Sequence, residues 1–298
     1  MTLALHGFLG APAMWAGLEG ELVAPWSPGH GPSPAPLEQD DFNAVVDALA
    51  ARYLPVGGAR VVGYSLGGRL ALALALRHPA RVREAVLIGA TPGLKTEAER
   101  RARRASDEAL AESLFRDGLV RFVDAWEALP LFATQRALPV SLQARRRAER
   151  LGHTVEGLAG SLRVLGTGAM PSLWDALPGC EVPLRWVTGA LDEKFTAIAR
   201  EACAVCPAAT HTVVPGAGHD VVLERGVGEV FLHPCPLLHR RCRWRRAAMC
   251  GMCSVRCLRL RDSHPTHRSP PPSATPMEEG AGVEGAVAQV TVIPSSPR

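Results

Sequence analysis

The chain is almost without lysine: Lys95 and Lys194 stand against 31 arginines. That bias fits a GC-rich coding sequence better than a demand for positive charge. Tyrosine is equally scarce, with Tyr53 and Tyr64 alone. No apolar run approaches the roughly 20 residues that a bilayer-spanning helix needs, so no membrane partner is expected. The opening Met1-Thr2-Leu3-Ala4-Leu5-His6 has neither the basic leader nor the full apolar core of a signal peptide, and a cytoplasmic location is expected. Cysteine is thin over most of the chain. Only Cys180, Cys203 and Cys206 precede residue 233, which fits a reducing compartment. A net positive charge is missing from the same region. Residues 233–298 hold ten arginines and four acids, a balance of +6; the whole chain is +4, so residues 1–232 carry −2. A body of that charge gives no case for nucleic acid.

What is present is an alternation of short apolar runs with helical patterns, in a chain of 298 residues that suffices for one large domain with an insertion. Leu3-Ala4-Leu5, Glu21 to Ala24, Ala59 to Val62, Ala85 to Gly89, Pro183 to Gly189 and Thr210 to Val214 read as strands; residues 39–54, 67–77 and 195–206 read as helices. Ala59 to Val62 leads into Gly63-Tyr64-Ser65-Leu66-Gly67-Gly68 and then a run of strong helix formers. A strand turning straight into a helix through G-x-S-x-G is the nucleophile elbow of the α/β-hydrolase fold. The turn is so tight that side chains two residues either side of the serine would collide, hence Gly63 and Gly67. His6-Gly7-Phe8, after the first strand, stands where this fold places its oxyanion loop. The backbone N–H groups of Phe8 and Leu66 are then the expected oxyanion donors.

Residues 93–177 interrupt the alternation. They show no convincing strand, and helical pattern over Thr96–Arg116, Leu119–Leu129, Arg145–Arg150 and Gly157–Thr167. An all-helical insertion at this point reads as a cap that excludes water and touches substrate. The expected organisation is core over 1–92, helical cap over 93–177, core again over 178–232, and an irregular, disordered tail over 233–298. The fold class is α/β: a mostly parallel sheet flanked by helices.

Ser65, Asp192 and His219 occur in the chain order Ser…Asp…His of this fold, each just after a predicted strand. A serine hydroxyl is a poor nucleophile or base until histidine takes its proton, and histidine needs a carboxylate to fix its tautomer. Asp192 could instead be a helix cap, and His219 a loop residue; the three together favour a triad. Arg69 falls on the elbow's helix face, one turn after Ser65, and reads as an anion contact or a structural ion pair. Lys194 lies at the mouth of the same site. Cys203-Ala204-Val205-Cys206 and Cys250-Gly251-Met252-Cys253 have CxxC spacing, but the first pair falls on an amphipathic helix and reads as core, so no metal is expected.

Leu5-His6-Gly7-Phe8, Pro28-Gly29-His30-Gly31, Gly63 to Arg69, Pro92-Gly93-Leu94, the arginine-rich run to Ser106-Asp107, Gly189 to Phe195 and Pro215 to His219 together resemble the MenH family, the 2-succinyl-6-hydroxy-2,4-cyclohexadiene-1-carboxylate synthases of menaquinone synthesis. The likeness covers about residues 3–232. It implies a lyase that eliminates pyruvate from 2-succinyl-5-enolpyruvyl-6-hydroxy-3-cyclohexene-1-carboxylate, without metal or organic cofactor and with the triad as base. Carried over by motif, it implies substrate contacts from Tyr64, Arg69, Trp126, Arg150 and one of Arg103 or Arg104, the cap register leaving those two open. A small polycarboxylate is the expected partner; oligomeric state is not legible. The rival readings are a serine carboxylesterase or C–C-bond hydrolase on the same fold, and a non-catalytic binding protein.

The chain departs from the family pattern after Glu224-Arg225, where a regular final helix is replaced by Gly226-Val227-Gly228 and then a Cys/Arg/Pro-rich stretch. A frameshifted or read-through reading frame explains such a stretch; a basic tail for nucleic acid or anionic lipid is the rival. Loss of the helix is expected to weaken support for the His219 loop.

Overall fold

Six short apolar segments pair into one parallel sheet in this computed structural model, which describes residues 1–35, 37 and 41–231. The strands are β1 (Thr2–Leu5), β2 (Leu22–Val23), β3 (Ala59–Tyr64), β4 (Val82–Ile88), β5 (Leu184–Gly189) and β6 (Ala209–Val214), in the order β2-β1-β3-β4-β5-β6. Parallel neighbours need crossovers that cover both faces, so the inner strands are buried on both sides and carry continuous rather than alternating apolar residues. β1 is buried throughout and β3 at every position but Arg60. The edge strand β6, with Thr210, His211 and Thr212, is mostly half-buried. The chain leaves β1 towards β2 and returns on the other side to β3. Loops after β1 and β3 therefore diverge from a switch point, and a crevice opens at the carboxyl ends of the strands.

Helices α1 (Phe42–Tyr53), α2 (Leu66–Arg77) and α6 (Glu193–Val205) flank the sheet, and α7 (Val221–Arg225) and α8 (Val227–Phe231) follow β6. One core layer joins Leu70 and Leu74 of α2 to Leu3, Val61 and Leu87. The other joins Trp15, Tyr64 and Val221 to Val62 and Val86. Helix α2 is buried from Leu66 to Ala75, as its unbroken Leu/Ala run requires. Helix α1 begins at Phe42 rather than residue 39 because Asp41 caps it, its carboxylate accepting from Ala44 N–H at 2.7 Å. The strand read at 21–24 is reduced to Leu22–Val23.

Between β4 and β5 the chain forms α3 (Glu97–Glu127), α4 (Val140–Leu151) and α5 (Val155–Leu165). Thr96 and Glu99 close a capping box at the start of α3. Gly118, at φ 78°, breaks α3 between the two helical segments that the sequence separates. Phe122 and Val123 beyond the break join Ala111, Leu114, Leu158 and Leu162 in a third apolar cluster, which also takes in Leu9 from the loop after β1. That cluster fastens the helical segment over the crevice. Among the described residues no helix is long and apolar enough to cross a membrane. The irregular tail expected over 233–298, with Cys250 and Cys253, lies outside the described residues.

The closest packing is at the elbow. A β-carbon on Gly67 would overlap the Leu5 carbonyl, and one on Gly63 would overlap the Gly67 carbonyl. Backbone on backbone cannot give way. Gly67→Ala is expected to cost at least about 3 kcal/mol, lowering the thermal transition by about 6–12 °C. Gly160→Ala in α5, where the new atom would meet only Leu37 at 3.7 Å, is expected to be neutral or stabilising by up to about 1 kcal/mol. Paired thermal unfolding of the two variants checks this.

Candidate active site

The crevice collects the loops after β1, β3, β5 and β6. Ser65 caps α2 with φ 51° and ψ −107°, and Leu9, with φ 56°, is the one other non-glycine at positive φ among the described residues. Conformations of this kind cost of the order of 1–3 kcal/mol each and persist only where their surroundings over-determine them. Ser65 is held by its N–H, which donates to the Ile88 carbonyl at 2.8 Å, and by the glycine contacts described above.

His219 lies on the Gly-rich loop after β6. Its Nδ1 is 2.7 Å from Asp192 Oδ2 and its Nε2 is 3.2 Å from Ser65 Oγ. With the carboxylate accepting from Nδ1–H, Nε2 keeps its lone pair for the serine proton. Asp192 is both things the sequence allowed. Its Oδ2 meets His219, and its Oδ1 caps α6 by accepting from Phe195 N–H at 3.2 Å. The cap fixes the carboxylate that fixes the imidazole. His219 and Asp192 are 2% and 6% exposed, so the pair is shielded from competing water. Rings of Phe195 and Tyr64 pack on His219 at 4.5 and 5.4 Å between centroids. Burial, then Asp220, holds the Tyr64 phenol well above its ordinary pKa, so it stays protonated.

A cavity of 420 Å³ opens over Ser65. Its apolar wall includes Phe8, Trp126, Phe132 and Leu162, and Phe8 and Trp126 touch at 5.0 Å between centroids. Its cations are Arg69, Arg103, Arg146, Arg150 and Lys194. Arg69 donates to the Leu165 carbonyl at 2.7 Å, and no carboxylate among the described residues lies within ion-pair distance of it. Burial, then Arg103, lowers its guanidinium to about 10, which leaves it charged at neutral pH. Arg103, Arg146 and Arg150 are paired with carboxylates. Arg103 donates to Asp107 at 2.7 Å, and Arg150 meets Glu127 at 2.8 Å and Gln135 at 3.1 Å. Lys194 sits over the Phe195 ring at 5.6 Å.

The structure separates Arg103 from Arg104. Arg103 lines the cavity, whereas Arg104 turns away to the Gly168 carbonyl and Glu97, so it is not a cavity residue. Arg146 lines the cavity and was not singled out from sequence. It lies one turn before Arg150 on α4, and that i, i+4 spacing was the available signal. Burial works against its charge, but Asp220, then Tyr64 and Glu149, outweigh it and raise the pKa. Phe8 and Leu66, the expected oxyanion donors, both border the cavity. Leu66 is the first residue of α2, so its N–H has no partner within the helix.

A family model described as alpha/beta hydrolase fold matches residues 3–226. The chain belongs to that family. Within it, the chain is 40% identical over 233 residues, 75% of its length and 85% of the relative's, to the Bacillus subtilis (strain 168) protein assigned as 2-succinyl-6-hydroxy-2,4-cyclohexadiene-1-carboxylate synthase. It is 34% identical to the synthase of that name from Enterobacter sp. (strain 638), over 74% of this chain and 84% of that one. These matches place it in the synthase family of the hydrolase fold. The solved structure of MenH from S. aureus superposes with a TM-score of 0.70 at 30% identity, covering 77% of this chain and 90% of that one.

If Ser65, His219 and Asp192 act as a unit, their losses do not add. Ser65→Ala and His219→Ala are each expected to lower kcat by at least about 10³-fold, and the double variant by little more. Steady-state rates of the three proteins at saturating substrate check this; multiplicative losses would show independent action.

Proposed function

We propose that this chain is a lyase of menaquinone synthesis that eliminates pyruvate from 2-succinyl-5-enolpyruvyl-6-hydroxy-3-cyclohexene-1-carboxylate, giving 2-succinyl-6-hydroxy-2,4-cyclohexadiene-1-carboxylate. The observation that carries it is a hydrogen-bonded Ser65–His219–Asp192 array beneath a cavity with five cationic side chains. The substrate bears three carboxylates around one ring, and guanidinium groups are their planar partners. Residues 93–177 act as the cap, enclosing that ring.

The chemistry follows from substrate and product. The substrate has its ring double bond at C3–C4; the product has two, at C2–C3 and C4–C5. Ser65 Oγ, its own proton passing to His219 Nε2, takes the proton from C2, which the neighbouring succinyl carbonyl acidifies. Electrons move to C2–C3, the old double bond shifts to C4–C5, and the C5–O bond breaks. The enolpyruvate leaves, and a proton returned through His219 allows it to become pyruvate. Charge builds on the succinyl carbonyl oxygen in between. Phe8 N–H and Leu66 N–H, with the α2 N-terminus behind them, are the donors for that oxygen. Tyr64, Arg69, Arg103, Arg150, Trp126 and Lys194 are the proposed substrate contacts, joined by Arg146. Nothing in this scheme calls for a metal or an organic cofactor, and a cytoplasmic setting suits it.

Arg69 distinguishes this reading from an esterase. It is a buried cation one turn from Ser65, and among the described residues no carboxylate lies within ion-pair distance of it, although the Asp107 charge reaches it. A charge-assisted contact there is worth about 1.5–3 kcal/mol, so Arg69→Ala should reduce kcat/KM for the intermediate by roughly 10- to 100-fold. Hydrolysis of a small neutral ester should barely change. Arg69→Lys should recover part of the loss. Pyruvate release and ester hydrolysis, measured on the same folded proteins, make the test. Equal losses on both would make Arg69 structural, and a better rate on the ester by the unaltered protein would favour the hydrolase.

A further inference from the structure

The Pro28-Gly29-His30-Gly31 stretch has no part in the site as described, yet three of the most buried polar groups in the fold meet around it. His6, His30 and His153 are 0%, 2% and 6% exposed. Their rings touch edge to face, His6–His30 at 5.1 Å and His30–His153 at 5.2 Å between centroids, and Trp26 packs on His6 and His153 at 5.7 Å. None of the three contacts the Ser65–His219 pair.

Their hydrogen bonds converge on one residue. His6 Nδ1 is 2.8 Å from the Gly7 carbonyl and so carries the donated proton; its Nε2 accepts from Ser27 N–H at 2.8 Å. His30 Nδ1 is 3.1 Å from the Pro28 carbonyl, and its Nε2 accepts from Leu9 N–H at 3.2 Å. The Gly7 carbonyl also accepts from Gly10 N–H at 2.9 Å. Phe8 lies between the two clamped groups. In a trans peptide the C=O of one residue and the N–H of the next point in opposite directions within one plane. Fixing the Gly7 carbonyl from two sides therefore fixes the direction of Phe8 N–H. Fixing Leu9 N–H holds the next peptide plane, and Leu9 is the residue strained at φ 56°. The two strained non-glycine residues of the described chain, Leu9 and Ser65, thus each adjoin one expected oxyanion donor, Phe8 and Leu66.

We propose that His30, together with His6, is a positioning residue of the oxyanion hole, holding the strained Leu9 turn so that Phe8 N–H points at the developing negative charge. This rests on Phe8 being an oxyanion donor. His153 braces the arrangement from the helical segment, its Nδ1 accepting from Gly31 N–H at 2.9 Å. The scheme needs all three imidazoles neutral, since Nε2 of His6 and His30 and Nδ1 of His153 are acceptors. Their surroundings enforce this. Burial, then His153, lowers His30 to about 3, and burial, then Arg146, lowers His153 to about 4 against an opposing contact with the Leu9 backbone. Burial, then His30, holds His6 well below its ordinary value.

A donor that meets charge only in the transition state acts on kcat, not on ground-state binding. His30→Leu, which removes the acceptor for Leu9 N–H, should lower kcat by about 10- to 100-fold with KM changed by less than about threefold. His30→Gln, whose carbonyl can reach the Nε2 position, should recover most of it. The same kcat losses should appear with the menaquinone intermediate and with a small neutral ester, because both build charge on a carbonyl oxygen. The test therefore does not depend on which is the natural substrate. An unchanged kcat in folded His30→Leu would overturn the proposal, and so would equal losses in the Leu and Gln variants or a loss confined to KM. A second measurement needs no variant. Nitrogen-15 spectra of the imidazoles in the unaltered protein should show His6 and His30 as neutral Nδ1–H tautomers throughout the neutral range. An Nε2–H tautomer, or titration of either ring there, would overturn it equally.

Discussion

The catalytic end of this fold depends on how closely the first turn of α2 lies against the ends of two strands. Gly67 stands against the Leu5 carbonyl and Gly63 against Gly67 itself, so the helix begins with no intervening loop. That contact forces Ser65 to φ 51° and presents its hydroxyl at the carboxyl end of the sheet. It also sets the loop after β1 beside the first N–H groups of α2, because β1 and β3 are adjacent in the sheet. The loop after β1, Ser65 and the helix N-terminus are brought together by one steric fit. Local strain is the cost, and it is met by packing: β3 and α2 are almost entirely buried.

Over this rigid floor the charges are arranged unevenly. Arg103, Arg146 and Arg150 each have a protein carboxylate, through Asp107, Asp220 with Glu149, and Glu127. Paired guanidinium groups hold their positions without substrate and can still offer their remaining N–H groups. Arg69 differs: it is buried, charged at neutral pH and met by the Leu165 carbonyl at the end of α5. A helix C-terminus partly compensates a cation. Among the described residues no carboxylate pairs with it directly, although the Asp107 charge reaches it, and a carboxylate entering the cavity would find there a desolvated cation. That asymmetry favours an anionic substrate over a neutral one on the same scaffold.

The parts legible from sequence were those encoded by short spacing. The elbow, the HG loop and the Ser…Asp…His order each occupy a few residues at the end of an apolar run. Arg103 and Arg104 were not separable because both fall on a helix with charges all round. The pairing that sorts them, Arg103 with Asp107, is an i, i+4 contact visible only once the register is fixed. Arg146 escaped although Arg150 did not, since its neighbours Arg145 and Arg147 blur the face that α4 turns inward. His6 and His30 stood out only as parts of short motifs and His153 not at all; that the three meet was not legible, because they come from separate loops that the fold assembles.

The break in pattern at Gly226 suggested a poorly supported His219 loop, and the contacts among the described residues show what holds that loop. Glu224, before the break, accepts from Gly218 N–H at 2.6 Å with one carboxylate oxygen and from the Thr134 hydroxyl at 2.8 Å with the other. Asp220 caps α7 by accepting from Leu223 N–H and lies 3.6 Å from Arg146 on α4. Val221 and Val222 are buried against the sheet. Both acidic residues bind the loop locally and tie it to the helical segment above. The support for His219 is thus supplied by seven residues of loop and short helix, Gly218 to Glu224, and by two contacts from the segment that roofs the cavity. A displacement of that roof would be felt at the histidine, so the seating of the helical segment over the cavity and the alignment of His219 with Ser65 are mechanically one condition.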